Sequence, residues 1–98
     1  MSKSTVRSNS WEYAVIDVAT DITTVSAKPA RLGFIYINTT LSAHALPIID
    51  GATTVFTIPA SAAAGTRFDF SNTRFRSSLI VDPNDAATGN ITLAWDAM

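Results

Sequence analysis

Cysteine is absent from these 98 residues, and histidine occurs once. Disulfides, thiolate metal sites and thiol catalysis are thereby excluded, and so is a histidine-rich metal site. A small domain without crosslinks or metal must draw its stability from core packing or from association with other chains. Charged residues are sparse, at 15%, and the formal net charge is −1. That balance carries no electrostatic signature of a nucleic-acid or anionic-membrane partner. No run approaches the roughly 20 apolar residues of a membrane span. The opening Met1-Ser2-Lys3-Ser4-Thr5 lacks the apolar core of a secretion signal. The Asn-x-Thr triplets at Asn38 and Asn90 therefore read as chance matches to a glycosylation acceptor.

What is present is a chain that is 47% apolar, too hydrophobic and too weakly charged to be disordered. Its length makes one domain, with a core that buries about 60–65% of the unfolded surface. Residues 1–10 are serine-rich, with Lys3 and Arg7 and no acid, and read as a flexible N-terminal arm. Residues 11–98 form the body. Alternation across 11–18 puts Trp11, Tyr13 and Val15 on one face and Glu12, Ala14 and Ile16 on the other. A weaker β-branched strand spans 21–26 and stops at Lys28-Pro29.

The stretch 32–38 is apolar on both faces, with Leu32, Phe34 and Tyr36 on one and Gly33, Ile35 and Ile37 on the other. It reads as a central strand covered on both sides, by a second layer or by another copy. After a connection over 39–45, strands at 46–49 and 53–58 flank Asp50-Gly51, the strongest hairpin signal here, predicting a type I′ turn. Residues 60–65 are a small-residue loop with room for one helical turn. Phe68, Phe70, Phe75, Leu79 and Val81 fall inward, with Arg67, Asp69, Arg74, Arg76 and Asp82 outward. Breakers fill 83–90, and the last strand sends Ile91, Leu93 and Trp95 one way and Thr92, Ala94 and Asp96 the other. About eight short strands and no 3.6-residue period predict an all-β fold, a small antiparallel β-sandwich or jelly-roll-like barrel.

Chemistry is hard to find in this pattern. His44 has no acid near it in sequence, and there is no Gly-x-Ser-x-Gly elbow or phosphate-cradling glycine loop. Asp82-Pro83-Asn84-Asp85 lacks the spaced acids of a calcium loop and reads as an Asx turn. Arg67, Arg74 and Arg76 interleave with phenylalanines, yet alternation sends the rings and cations to opposite faces, against a single-strand nucleic-acid platform. The expectation is a protein that is not an enzyme and takes no cofactor, metal, nucleic acid or membrane.

Several segments carry a resemblance. They are Arg-Leu-Gly-Phe-Ile-Tyr-Ile-Asn from Arg31, Ile-Ile-Asp-Gly-Ala-Thr-Thr-Val-Phe-Thr-Ile-Pro-Ala from Ile48, and Ala-Ala-Gly-Thr-Arg-Phe-Asp-Phe from Ala63. Ser-Ser-Leu-Ile-Val-Asp-Pro and Ala-Thr-Gly-Asn-Ile-Thr-Leu-Ala-Trp complete the set. Together they resemble the small all-β accessory virion proteins of tailed bacteriophages. That group includes capsid decoration (cement) proteins and small tail- or fibre-associated proteins.

The resemblance implies a structural virion protein. It would be a homotrimer, favoured over a dimer, made in the host cytoplasm and seated on the phage head, bridging subunits of the major capsid protein. The candidate interface residues are Lys3, Val6 and Arg7 in the arm, Trp11 and Tyr13 on the first strand, and Ile35 and Ile37 on the central one. The alternative is a tail- or fibre-associated β-domain that binds a host glycan or another virion protein. A glycan module should leave an aromatic platform open in the oligomer, whereas a cement protein should hide its aromatics in the core or at the joints. Trp11, Tyr13, Phe34, Tyr36 and Trp95 are the aromatics in question.

Overall fold

A computed structural model describes residues 11–20 and 22–97, so the arm expected over 1–10, with Lys3, Val6 and Arg7, lies outside the described residues. The strands are β1 (Glu12–Asp17), β2 (Thr23–Ser26), β3 (Ala30–Thr39), β4 (Leu46–Asp50), β5 (Thr53–Ile58), β6 (Arg67–Phe75), β7 (Leu79–Val81) and β8 (Asn90–Ala97). No helix occurs among the described residues, and 60–65 is a pair of turns.

The topology follows from one pairing rule. The antiparallel pairs β1·β8, β2·β7, β3·β6 and β4·β5 match the first half of the chain to the second in reverse. The chain is thus one long ribbon folded back at the β4–β5 hairpin. Two further pairings, β3·β8 and β4·β7, coil the ribbon into sheets of order β1-β8-β3-β6 and β2-β7-β4-β5. That is the eight-strand, two-sheet jelly-roll arrangement. Between the sheets, Leu32, Ile35, Ile37, Phe75, Ile91 and Leu93 from the first face Leu46, Ile48, Ile58, Leu79 and Val81 from the second. Phe56 on the edge strand β5 meets Phe68 and Phe70 on the edge strand β6, with ring centroids 5.6 and 5.2 Å apart. These tilted and edge-on contacts close the sandwich on that side.

The hairpin at the ribbon's apex differs from its expected form. Asp50 pairs with Thr53, so the two central residues are Gly51 and Ala52, and only Gly51 has positive φ, at 62°. This is the φ pattern of a type II′ turn, which asks for glycine at its first central position alone. Asp50 is released for another task. Its carboxylate accepts the backbone N–H groups of Arg76 (2.8 Å), Ser77 (2.8 Å) and Ser78 (3.3 Å), and Ser78 Oγ accepts the Gly51 N–H. The apex is thereby tied to the β6–β7 crossover.

The Arg76 N–H, the largest influence, acts with the Ser77 and Ser78 N–H groups and the Arg76 charge to hold this carboxyl below its ordinary value of 3.8, although desolvation, second in size, opposes them. Because the folded value is the lower one, the stabilisation is complete above the ordinary value and is lost as pH falls through the folded one. Asp50→Ala should cost about 1–2 kcal/mol, as for other capping carboxylates. Urea titrations should show the gap between wild type and variant closing as pH falls below the ordinary carboxylate value and through the lower folded one.

The central strand overturns one expectation. Its pairing with β6 and with β8 shifts register between Leu32 and Phe34, a β-bulge at Gly33. Leu32, Ile35 and Ile37 therefore all point into the core, each 0% exposed, while Phe34 and Tyr36 point outward. The extra residue reverses the alternation, so the assignment of Leu32 to the face of Phe34 and Tyr36 is corrected. In this fold Ile35 and Ile37 are core residues of the single chain, each 0% exposed.

Candidate functional site

The outer face of the β1-β8-β3-β6 sheet concentrates the exposed rings. Register puts Tyr13, Ala94, Phe34 and Asp69 in one row across the four strands, and Val15, Thr92, Tyr36 and Arg67 in the next. Tyr13 is 77% exposed, Val15 58%, Trp11 41% and Tyr36 40%. Exposed apolar side chains grouped on one sheet face are a feature that interaction sites commonly share. The bulge at Gly33 makes this face, because it turns Phe34 and Tyr36 to the side already occupied by Trp11, Tyr13 and Val15.

A groove of about 350 Å³ lies on this face. Its floor is flat because Gly33 and Ala94 offer little or no side chain. Trp11 reaches across β8, and its Cζ3 stands 3.3 Å from where a Gly33 Cβ would be. On the opposite wall the Arg67 guanidinium sits 4.1 Å from the Phe34 ring centroid, a cation–π contact between diagonal neighbours on β6 and β3.

Asp69 follows two positions on, and its Oδ1 accepts the Ser71 N–H at 3.1 Å. Ser71 and Asn72, which also line the groove, have φ of 49° and 62°. Two consecutive non-glycine residues in the left-handed region are uncommon and carry backbone strain. They occupy the β6 side of the bulge, where 70–72 stand opposite Gly33 alone.

At the end of the same face Arg31 pairs with Asp96 at 3.2 Å. Asp96 is only 2% exposed, although it shares its side of β8 with Thr92 and Ala94. The Arg31 Nε is buried without a hydrogen-bond partner. At the other end Asn38 Nδ2 donates to Asn90 Oδ1 and Thr92 Oγ1, both at 2.7 Å. The two Asn-x-Thr asparagines are thus bonded to each other across the β3·β8 pair.

Of the residues singled out from sequence, Trp11 and Tyr13 do lie together on this face, as do Phe34 and Tyr36. Trp95 is half-buried against the core. His44 is half-buried in the β3–β4 connection. Asn84 makes the expected Asx turn, its Oδ1 accepting the Ala86 N–H at 2.9 Å. No group of three or more His, Cys, Asp or Glu residues placed to hold a metal occurs among the described residues. Arg67, Asp69 and Asn72 were not singled out for this face. Alternation within β6 separates Arg67 from the phenylalanines of its own strand, but Phe34 comes from β3, far away in the chain. Comparison with protein-family models, curated proteins and solved structures finds no match for this chain.

Proposed function

We propose that this chain is a structural virion protein of a tailed phage, a capsid decoration protein that attaches through the outer face of its β1-β8-β3-β6 sheet. The observation that carries the reading is the contiguous exposure of Trp11, Tyr13, Val15 and Tyr36 on that face. Rings that the fold leaves outside its own core are available to joints with other chains, and Trp and Tyr are the side chains most often found to anchor such joints. The jelly-roll scaffold is used for capsid and lectin domains alike, which makes the analogy one of fold and not of site. Attachment would stabilise the shell by mass action, since the protein binds the assembled state and not its dissociated subunits. Three joined copies would add avidity where all engage at once.

The test is co-expression with a tailed-phage major capsid protein, followed by quantifying occupancy on purified particles. Light scattering of the isolated chain should give a multiple of 10.4 kDa. Tyr13→Ala, at a position too exposed to affect folding much, should raise the dissociation constant by roughly 10- to 30-fold if it is an anchor. Equal occupancy by Tyr13→Ala, Val15→Ala and the unaltered chain would remove this face from the mechanism.

A further inference from the structure

We propose that the groove between Trp11 and the Phe34–Arg67 pair is a saccharide site that takes one neutral pyranose ring. Three observations converge. First, the groove offers apolar ring surface above a flat floor. The Trp11 indole overhangs Gly33, and the Phe34 ring stands on the far side beneath Arg67. A pyranose has an apolar C–H face and a rim of hydroxyls, so it matches a wall of this kind better than a wholly apolar ligand would.

Second, the polar groups are of the right kind and number. Arg67 supplies a planar fork of donors, Asp69 a carboxylate acceptor, and Asn72 and Ser71 supply both functions, all lining the same groove. Vicinal hydroxyls need donors and acceptors side by side, and these four side chains supply them. Third, Arg67 and Asp69 cancel in formal charge. A phosphate or sulfate ligand would ask for surplus cation, and a cationic ligand for surplus carboxylate, so the charge balance selects a neutral one. The left-handed backbone at Ser71 and Asn72 fits this reading, because strained conformations of this type collect at ligand-binding positions. The volume is at the lower end of the range for small-ligand sites, enough for a single ring and not for an extended chain.

The inference does not rest on attachment to a capsid. Trp11 belongs to both surfaces, but Tyr13 and Val15 do not line the groove, and Asp69 and Asn72 stand at its β6 side. Losses at Tyr13 and losses at Asp69 therefore report on different events. The experiment uses the full chain, ¹⁵N-labelled and isolated. It is titrated with neutral gluco-, manno- and galacto-configured trisaccharides, with sialylated and sulfated glycans as charged controls. The expected result is saturable amide shifts centred on Gly33, Asp69 and Asn72 with at least one neutral sugar. Trp11→Ala and Asp69→Ala should each weaken that binding at least tenfold, and Tyr13→Ala should leave it within twofold. Gly33→Val, which fills the floor and displaces the indole, should abolish it while the rest of the spectrum keeps its dispersion. Absence of shifts with every neutral sugar, binding confined to the charged glycans, or binding unchanged in Trp11→Ala and Asp69→Ala would each overturn the proposal.

Discussion

Ile35→Ala should lower the unfolding free energy by about 3–4 kcal/mol, within the range for truncating a fully buried aliphatic side chain. Ile35 is 0% exposed and packs in the core between the two sheets. Its truncation removes three methyl(ene) groups from water-free surroundings and leaves a void, because neighbouring strands held by ladder hydrogen bonds cannot collapse into it. For a domain of this size the melting temperature should fall by roughly 15 °C or more. Phe34→Ala, one residue earlier, is the informative contrast. That ring is on the outer face, half-buried, and its main specific contact is with Arg67. The loss there should be about 1 kcal/mol, partly the cation–π term.

A strand of unbroken alternation that placed Ile35 at an interface would give a different result, with the folded chain indifferent to Ile35 and dependent on Phe34. Urea titrations of both variants at one protein concentration decide between them. Ile35→Val, expected to cost only about 1 kcal/mol, keeps the measurement accessible if the alanine variant does not fold.

Gly89→Ala should be nearly as damaging, at about 3 kcal/mol from strain and overpacking together. Gly89 has φ of 128°, a region that side-chain-bearing residues rarely enter. A Cβ there would lie 2.6 Å from Leu41 Cδ2, 3.2 Å from Leu41 Cα and 3.3 Å from the Thr39 carbonyl oxygen. The Leu41 methyl can swing aside, but its Cα and the Thr39 carbonyl belong to backbone. Relief therefore requires moving the 39–41 segment, which is fastened by Leu41 N–H to Ala62 O and by Ser42 N–H to Thr88 O. The Gly89 carbonyl also accepts the Val18 N–H at 2.9 Å, so displacement would loosen the end of β1 as well.

Gly65→Ala separates the two causes. Its φ is 89°, yet the nearest atom to a Cβ is Tyr36 Oη at 3.9 Å. Strain without a clash should cost about 1 kcal/mol. If both variants lose the same stability in urea, the close approach to Leu41 plays no part.

Local chemistry explains why so much of the scaffold could be read from residues. The inward phase of Phe68 and Phe70, and separately of Phe75, Leu79 and Val81 and of Ile91 and Leu93, follows from alternation within each short segment. The β4–β5 hairpin lies where Asp50-Gly51 predicts it, with its central residues one position later, since Asp-Gly and Gly-Ala compete for the same turn. Alternation failed at β3 for a specific reason. Both faces of 32–38 are apolar, so a one-residue bulge changes nothing visible in the hydrophobic pattern while exchanging core and surface. The same bulge, seen from β6, explains why 67–75 is one strand interrupted at Ser71-Asn72 instead of two separate segments.

The sequence by itself determined the all-β class, the approximate position of every strand and the turns between them. The causes are a two-residue side-chain period and φ requirements at a few glycines and prolines, both of which act within a handful of residues. Only the tertiary structure decided the strand order, the core face of β3 and the groove. The groove draws Trp11 from β1's edge, Gly33 and Phe34 from β3, Arg67 to Asn72 from β6 and Ala94 from β8. Those residues become neighbours because the ribbon coils to bury one face of each sheet. That coiling is a property of the whole apolar surface, and no local window of the chain contains it.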